Sequence, residues 1–229
     1  MEYKMNLEQA RFNMIQQQIR PWDVLNGELL ELLTLVRREE FVPASHKALA
    51  FADIEVPLRN PTDAALRLGQ CMLAPKVEAR LVQDAAVQKH EKVLEIGTGS
   101  GYVAALLAHL SQRVITLEIE PELVAVARSN LQKAGILNAE VRLADGSKGV
   151  PLEAPFDVIL LSGSVAEIPD KLLESLKPGG RLVAIVGEEP IMRATTITRT
   201  AGQGYSSNQG WDTVAPRLQN FPEHSRFNF

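Results

Sequence analysis

The chain has 229 residues, of which 45% are hydrophobic and 23% charged, and its formal net charge is -4. That is the composition of a globular protein with ample core material, and it supplies no global basic field to draw nucleic acid. One cysteine, Cys71, excludes an internal disulfide; no apolar run reaches the ~18 residues of a membrane span; and the polar opening at 1–6 lacks a signal-peptide core. A soluble, cytoplasmic protein without nucleic-acid or membrane partners is the expectation.

In chain order, Leu7, Phe12, Ile15 and Ile19 predict an amphipathic helix over 7–20, ended by Arg20-Pro21. A leucine-rich pattern predicts a second helix over 27–38, closed by Glu39-Glu40-Phe41-Val42-Pro43. Residues 44–76 read as irregular, broken by Pro57, Pro61, Gly69 and Pro75; a segment of this kind is usually functional, such as a lid or substrate loop, or else disordered. A helix follows from Lys76 to about Val87. From 92 onward strand and helix alternate. Strands are expected at 92–96, 113–118, 139–144, 156–161 and 181–186, and helices at 101–110, 121–134 and 168–176. Two further strands, at 191–199 and 211–218 around a Gly202-Gln203-Gly204 turn, read as an antiparallel pair at a sheet edge. Near-continuous apolar strands separated by helices mean a parallel sheet covered on both faces. The fold class is therefore α/β and Rossmann-like. A single domain is expected, with 1–76 as helical cap and substrate loop and 77–229 as the cofactor-binding core.

In such a sheet ligands lie beyond the carboxyl ends of the strands. The first of these ends is Val93-Leu94-Glu95-Ile96-Gly97-Thr98-Gly99-Ser100-Gly101-Tyr102, a strand, glycine turn and helix start suited to a nucleotide. The dinucleotide fingerprint G-x-G-x-x-G fails, because the loop is G-x-G-x-G with Tyr102 in the sixth place. Glu118, with Ile119 beside it, ends the second strand and suits a ribose diol. Asp145-Gly146 ends the third and suits an adenine amine. Together these ends favour S-adenosylmethionine over NAD. The residues expected to bind it are Glu95, Gly97, Thr98, Gly99, Ser100, Gly101, Glu118, Ile119, Asp145 and Gly146. Neither a Ser/His/Asp set nor a metal-ligand cluster is legible, and His46, His90, His109 and His224 are scattered.

The chain resembles the protein-L-isoaspartate O-methyltransferases. The matching segments succeed one another in family order: Met14 to Arg20, Val24-Leu25, Arg38 to Pro43, Ala52-Asp53, Pro57-Leu58, Glu95 to Tyr102, Asp145-Gly146, Pro155-Phe156-Asp157, and Glu167 through Gly180. The resemblance implies methyl transfer from S-adenosylmethionine to a carboxylate of an isoaspartyl residue in a protein or peptide. The ester then collapses to a succinimide, which lets the damaged chain return to aspartate. A carboxylate, with a pKa near ~4, is already ionised at neutral pH and needs no general base.

One segment departs from the family. Where it typically has Thr-Ile-Ser-Gln-Pro, this chain has Cys71-Met72-Leu73-Ala74-Pro75, so that Leu73 stands at the family's active-site serine. The substrate pocket is expected to use Gln70, Cys71, Met72, Leu73, Pro75 and Ser162. Three functions remain open on the sequence alone: isoaspartyl methylation, methylation of a different and more apolar acceptor, and cofactor binding without isoaspartyl repair.

Overall fold

The computed structural model describes residues 6–202 and 204–223. The opening at 1–5, Gln203 of the expected turn and His224 lie outside the described residues. The chain begins with α1 (Leu7–Met14), whose Asn6 cap accepts the Gln9 N–H. The predicted 7–20 helix loses α geometry after Met14. Ile15–Ile19 forms a π-helical turn, with the Arg20 N–H reaching back to the Ile15 carbonyl, and a 3-10 turn carries the chain through Arg20–Trp22. Next come α2 (Gly27–Leu35) and 3-10 turns at Arg38–Glu40 and Ala44–Leu49.

The stretch at 44–76 is more ordered than its composition suggests. A two-stranded antiparallel ribbon pairs β1 (Val56–Pro57) with β2 (Cys71–Met72), and α3 (Thr62–Arg67) lies between them. Two-residue strands and a six-residue helix are too short to leave a hydrophobic period in the sequence. Then follow α4 (Pro75–Ala85), β3 (Lys92–Ile96), α5 (Tyr102–Leu110), β4 (Arg113–Glu118), α6 (Pro121–Lys133) and β5 (Ala139–Leu143). The remaining elements are β6 (Phe156–Val165), α7 (Asp170–Glu174), β7 (Leu176–Glu188), β8 (Ile191–Arg199) and β9 (Tyr205–Thr213).

Among the described residues the central sheet has seven strands in the order β5-β4-β3-β6-β7-β8-β9. The first five are parallel, and β8 and β9 add antiparallel at one edge. Alternation within each strand divides the apolar side chains between two cores. Val93, Val114, Val158, Leu160 and Val183 face the N-terminal helices, α4, α5 and α6. Leu94, Ile96, Ile115, Ile159 and Leu182 face α7 and the chain's closing segment. The edge pair is where it was expected, but its outer strand is Tyr205–Thr213 rather than 211–218. That edge strand is largely exposed, so its sequence, Tyr-Ser-Ser-Asn-Gln-Gly, carries no apolar signal. No helix among the described residues is long and apolar enough to cross a membrane.

One buried side chain ties the N-terminal elements to the sheet. Arg38 is fully buried. Its Nε donates to Glu78 Oε2 on α4 at 3.0 Å, Nη1 to the Ala50 carbonyl at 2.8 Å and Nη2 to the Leu73 carbonyl at 2.8 Å. The guanidinium also lies 5.8 Å from the ring centroid of Tyr102, the first residue of α5. Burial raises the Glu78 carboxyl while the arginine beside it pulls the other way. Removing one member of a buried pair strands the other charge. Arg38→Ala is therefore expected to cost about 3–5 kcal/mol in urea unfolding. Arg38→Lys should recover only part of it, since an ammonium cannot fork to three acceptors in fixed directions. The double change Arg38→Met with Glu78→Leu should exceed Arg38→Ala in stability.

Candidate active site

The carboxyl ends of β3, β4, β5 and β6 converge under the β1–β2 ribbon, as strand order requires of a parallel sheet. A small cavity of about 70 Å³ lies there. Its walls include Gly97, Gly99, Glu118, Ile119 and Gly146 from the sheet side, Gln70 and Cys71 from the ribbon, and Ser162 at the bend within β6.

Glu118 is the most constrained acid on this surface. Its Oε2 accepts the Gly99 N–H at 2.8 Å, and its Oε1 accepts the N–H groups of Ile119 at 3.0 Å and Glu120 at 3.1 Å. Burial pushes the carboxyl upward, and these three amides work against it. The result is an acid fixed in one orientation, with three of its roughly four acceptor sites taken and about one left for a ribose hydroxyl.

The glycines have distinct jobs. Gly97, at φ 95°, would place a Cβ 2.9 Å from Leu218 Cδ2, so the backbone there is closely approached from the cavity side. Gly101, at φ 85°, abuts α6, where a Cβ would lie 3.3 Å from Leu131 Cγ and 3.4 Å from Ala127 Cβ. Gly101 thus supplies the close helix contact that a dinucleotide loop places one residue later. Tyr102 turns inward, 2% exposed, with its ring edge-on to Phe41 at 5.4 Å. A Cβ on Gly146 would run into the Ile96 side chain, so packing alone demands glycine there.

Beneath the loop lies a polar chain, fully buried at Glu95 and Thr116 and half-buried at Ser162. Ser162 Oγ donates to Glu95 Oε1 at 2.8 Å, Thr116 Oγ1 donates to Glu95 Oε2 at 2.6 Å, and Thr116 and Thr98 share a hydroxyl bond of 2.6 Å. Burial lifts Glu95 to about 8, against these hydrogen bonds and with the Glu118 and Glu78 charges adding to the rise. Glu95 and Thr98 therefore shape the floor without lining the cavity. Ser100 is buried as well, its carbonyl bound by Asn130. Asp145 lies at the rim, its Oδ1 accepting the Ser147 N–H and Oγ–H and its Oδ2 accepting Asn220 Nδ2 at 3.2 Å.

The ribbon turns its residues two ways. Gln70 and Cys71 reach the cavity, and burial pushes the Cys71 thiol up to about 12, with the Glu55 and Glu78 charges reinforcing the rise. Met72, Leu73 and Pro75, expected in the substrate pocket, are buried and line neither this cavity nor the adjoining groove. Met72 and Leu73 pack into the core on the α4–α5 side. An antiparallel ribbon presents alternate residues to opposite faces, and this register sends Met72 inward.

The chain's closing segment is the part that sequence reasoning missed. Ser164 donates its N–H to the Pro216 carbonyl and its hydroxyl to the Ala215 carbonyl, and accepts the Leu218 N–H. This brings Arg217, Leu218, Gln219 and Phe221 into the cavity wall. The signals available were scattered apolar residues, Leu218 and Phe221 among them, with no periodicity.

A family model described as protein-L-isoaspartate(D-aspartate) O-methyltransferase matches residues 9–214. Protein-L-isoaspartate O-methyltransferase 1 of Syntrophobacter fumaroxidans is 40% identical over 183 residues, which cover 80% of this chain and 82% of that protein. The protein-L-isoaspartate O-methyltransferase of Methanoculleus marisnigri is 35% identical over 211 residues, 92% of each chain. A Plasmodium falciparum structure, described as a protein-L-isoaspartate O-methyltransferase in complex with S-adenosyl-L-homocysteine, superposes with a TM-score of 0.75 at 18% identity and covers 94% of this chain and 99% of that one. At that identity the superposition shows the shared fold.

Glu95 gives this site a pH signature. Its pKa of about 8 in the folded protein exceeds the ~4.3 of an unfolded glutamate. The folded state then holds a proton that the unfolded state releases. This contribution is fully present at low pH and is lost as pH rises toward 8. Melting temperatures measured from pH 5 to 8.5 are expected to fall more steeply for the native chain than for Glu95→Gln, by an amount equivalent to a few kcal/mol.

Proposed function

The chain belongs to the protein-L-isoaspartate(D-aspartate) O-methyltransferase family, and we propose that its own site works with Glu118 as ribose acceptor, Gly97 and Gly99 as the backbone cradle, and Gln70, Cys71 and Ser162 as the acceptor side. The reading rests on one observation: a single cavity is walled both by the β3–β4 carboxyl ends and by the ribbon. The α/β methyltransferase fold and S-adenosylmethionine as methyl donor come with the family.

The residues present suit that cofactor. An acid with a free acceptor site, a glycine backbone open to close approach and the apolar side chains of Ile119 and Leu123 are what an adenosine requires. A nucleoside is larger than the open space, so Leu218 and Phe221 have to give way to it. When bound, the cofactor supplies an electrophilic methyl on a sulfonium, and its transfer to a carboxylate oxygen yields a neutral thioether and a methyl ester with no proton moved.

The chain's contribution is to bind, orient and dry the site. No general base is needed for a nucleophile already ionised at neutral pH. Ser162, donating to Glu95, presents its oxygen lone pairs to the cavity. The ribbon covers the strand ends, and alignment in a water-poor cleft then carries the rate. In this division of labour, 1–76 acts as cap and acceptor segment over a cofactor core of 77–229. Isoaspartyl residues of proteins are the acceptor that fits the family. An apolar acceptor loses its support, since Met72 and Leu73 point into the core.

A labelled methyl-transfer assay on an isoaspartyl peptide beside its aspartyl twin tests this reading. Label is expected on the isoaspartyl peptide alone; label on neither, with cofactor binding intact by calorimetry, overturns it. Glu118→Ala should weaken S-adenosylhomocysteine binding by about 10- to 100-fold, the loss of a charge-assisted hydrogen bond to the ribose.

A further inference from the structure

Next to the cavity lies a wider groove of about 690 Å³, with Glu55, Arg67, Glu189 and Glu223 in its walls. One residue belongs to both. Arg217 lines the groove and is the one cation in the wall of the inner cavity among the described residues. Its side chain is only 26% exposed. Nη1 donates to the Gly187 carbonyl at 2.9 Å, and Nε lies 3.1 Å from Glu223 Oε1. Nη2 has no hydrogen-bond partner among the described residues.

We propose that Arg217 anchors the carboxylate of the methyl acceptor, with Glu223 holding that place in the free protein. The proposal rests on the isoaspartyl reading above and adds the residue that recognises the anion. The first argument is charge. A carboxylate in the inner cavity meets the acids Glu118 and Glu120 in its wall, and Arg217 is the one cation there among the described residues; Arg67 lines only the outer groove, beside Glu55 and Glu189. A desolvated anion without a counter-charge is strongly disfavoured.

The second argument is elimination. Leu73 packs into the core and offers no donor. Ser162, bonded to Glu95, and Gln70 can add neutral hydrogen bonds but no charge. Among the described residues of the inner cavity, Arg217 alone combines charge with an uncommitted N–H edge, and a guanidinium fork matches a carboxylate.

The third argument is release. The methyl ester has no charge, so the ion pair that holds the substrate disappears in the product, and Glu223, 56% exposed, can then return to Arg217.

The test uses the full chain, S-adenosylhomocysteine and an isoaspartyl peptide. Peptide affinity is measured by calorimetry with S-adenosylhomocysteine bound, alongside steady-state kinetics. Arg217→Ala should raise the peptide Kd and KM about 10- to 100-fold while the S-adenosylhomocysteine Kd stays within about twofold. Arg217→Lys should recover part of the peptide affinity, and Glu223→Gln should lower the peptide KM. Unchanged peptide affinity in Arg217→Ala overturns the anchor. So does an equal loss of peptide and S-adenosylhomocysteine binding, which would mark Arg217 as a strut for the closing segment. If the native chain labels neither peptide, the isoaspartyl reading fails first and the anchor with it. If the native chain is active and Arg217→Ala matches it, the anchor alone fails.

Discussion

The fold turns on one guanidinium. Arg38 closes hydrogen bonds to α4, to the carbonyl of Ala50 and to the carbonyl of Leu73, and covers the tyrosine that starts α5. Each of these contacts is direct and the guanidinium is fully buried, so the group fixes the segments relative to one another. The Leu73 contact matters most for chemistry. It holds the ribbon's exit by its main chain, leaving the register of Gln70 and Cys71 over the strand ends as a consequence of a charge buried on the far side. The helical N-terminus is thus a working part of the site, although none of its residues lines the cavity.

Two glutamates on neighbouring strands show how position sets the behaviour of one side-chain type. Glu95 pairs in register with Thr116 in the middle of the sheet, is fully buried, and is held by hydroxyls. Glu118 stands two residues further on, at a strand end, and is held by main-chain amides. Hydroxyls can reverse their donors when the acid takes a proton; amides cannot. The first acid is therefore an adaptable part of the floor, and the second keeps a fixed acceptor geometry. A nucleotide surface needs both, one to tolerate changes beneath it and one to impose direction.

How much of this was readable depends on the range of the forces involved. The strands Lys92–Ile96 and Arg113–Glu118 sit between two cores, and double-sided burial leaves apolar residues at successive positions, interrupted only by Glu95 and Thr116 before the polar strand end. The acid at 118 and the glycine loop follow from strand ends, so their convergence on one cavity wall was legible. The ribbon was not. Its two-residue strands leave no period, and whether Leu73 faces a ligand or a core depends on Arg38, 35 residues away. The closing segment was least legible of all. Its place is set by three hydrogen bonds to Ser164, and the bend in β6 that exposes them, a register shift between Leu160 and Ser164, has no sequence mark.

Aspartyl–glycyl and asparaginyl–glycyl linkages age. With no side chain on the glycine, its nitrogen reaches the neighbouring side-chain carbonyl, closes a ring and reopens it with an extra carbon in the backbone. This chain has one of each, Asn26-Gly27 and Asp145-Gly146. In both the vulnerable side chain is a cap: Asn26 Oδ1 accepts the Leu29 N–H at 3.0 Å, and Asp145 Oδ1 accepts the Ser147 N–H at 3.0 Å. At Asp145 burial favours the acid form, but bonds from Ser147, Lys148 and Asn220 outweigh it and hold the carboxyl below its usual range. An ionised, immobilised carboxylate is a poor target for an amide nitrogen. The contacts that shape the rim of the site therefore also slow the ageing of its own main chain, the same damage that the family's substrates carry.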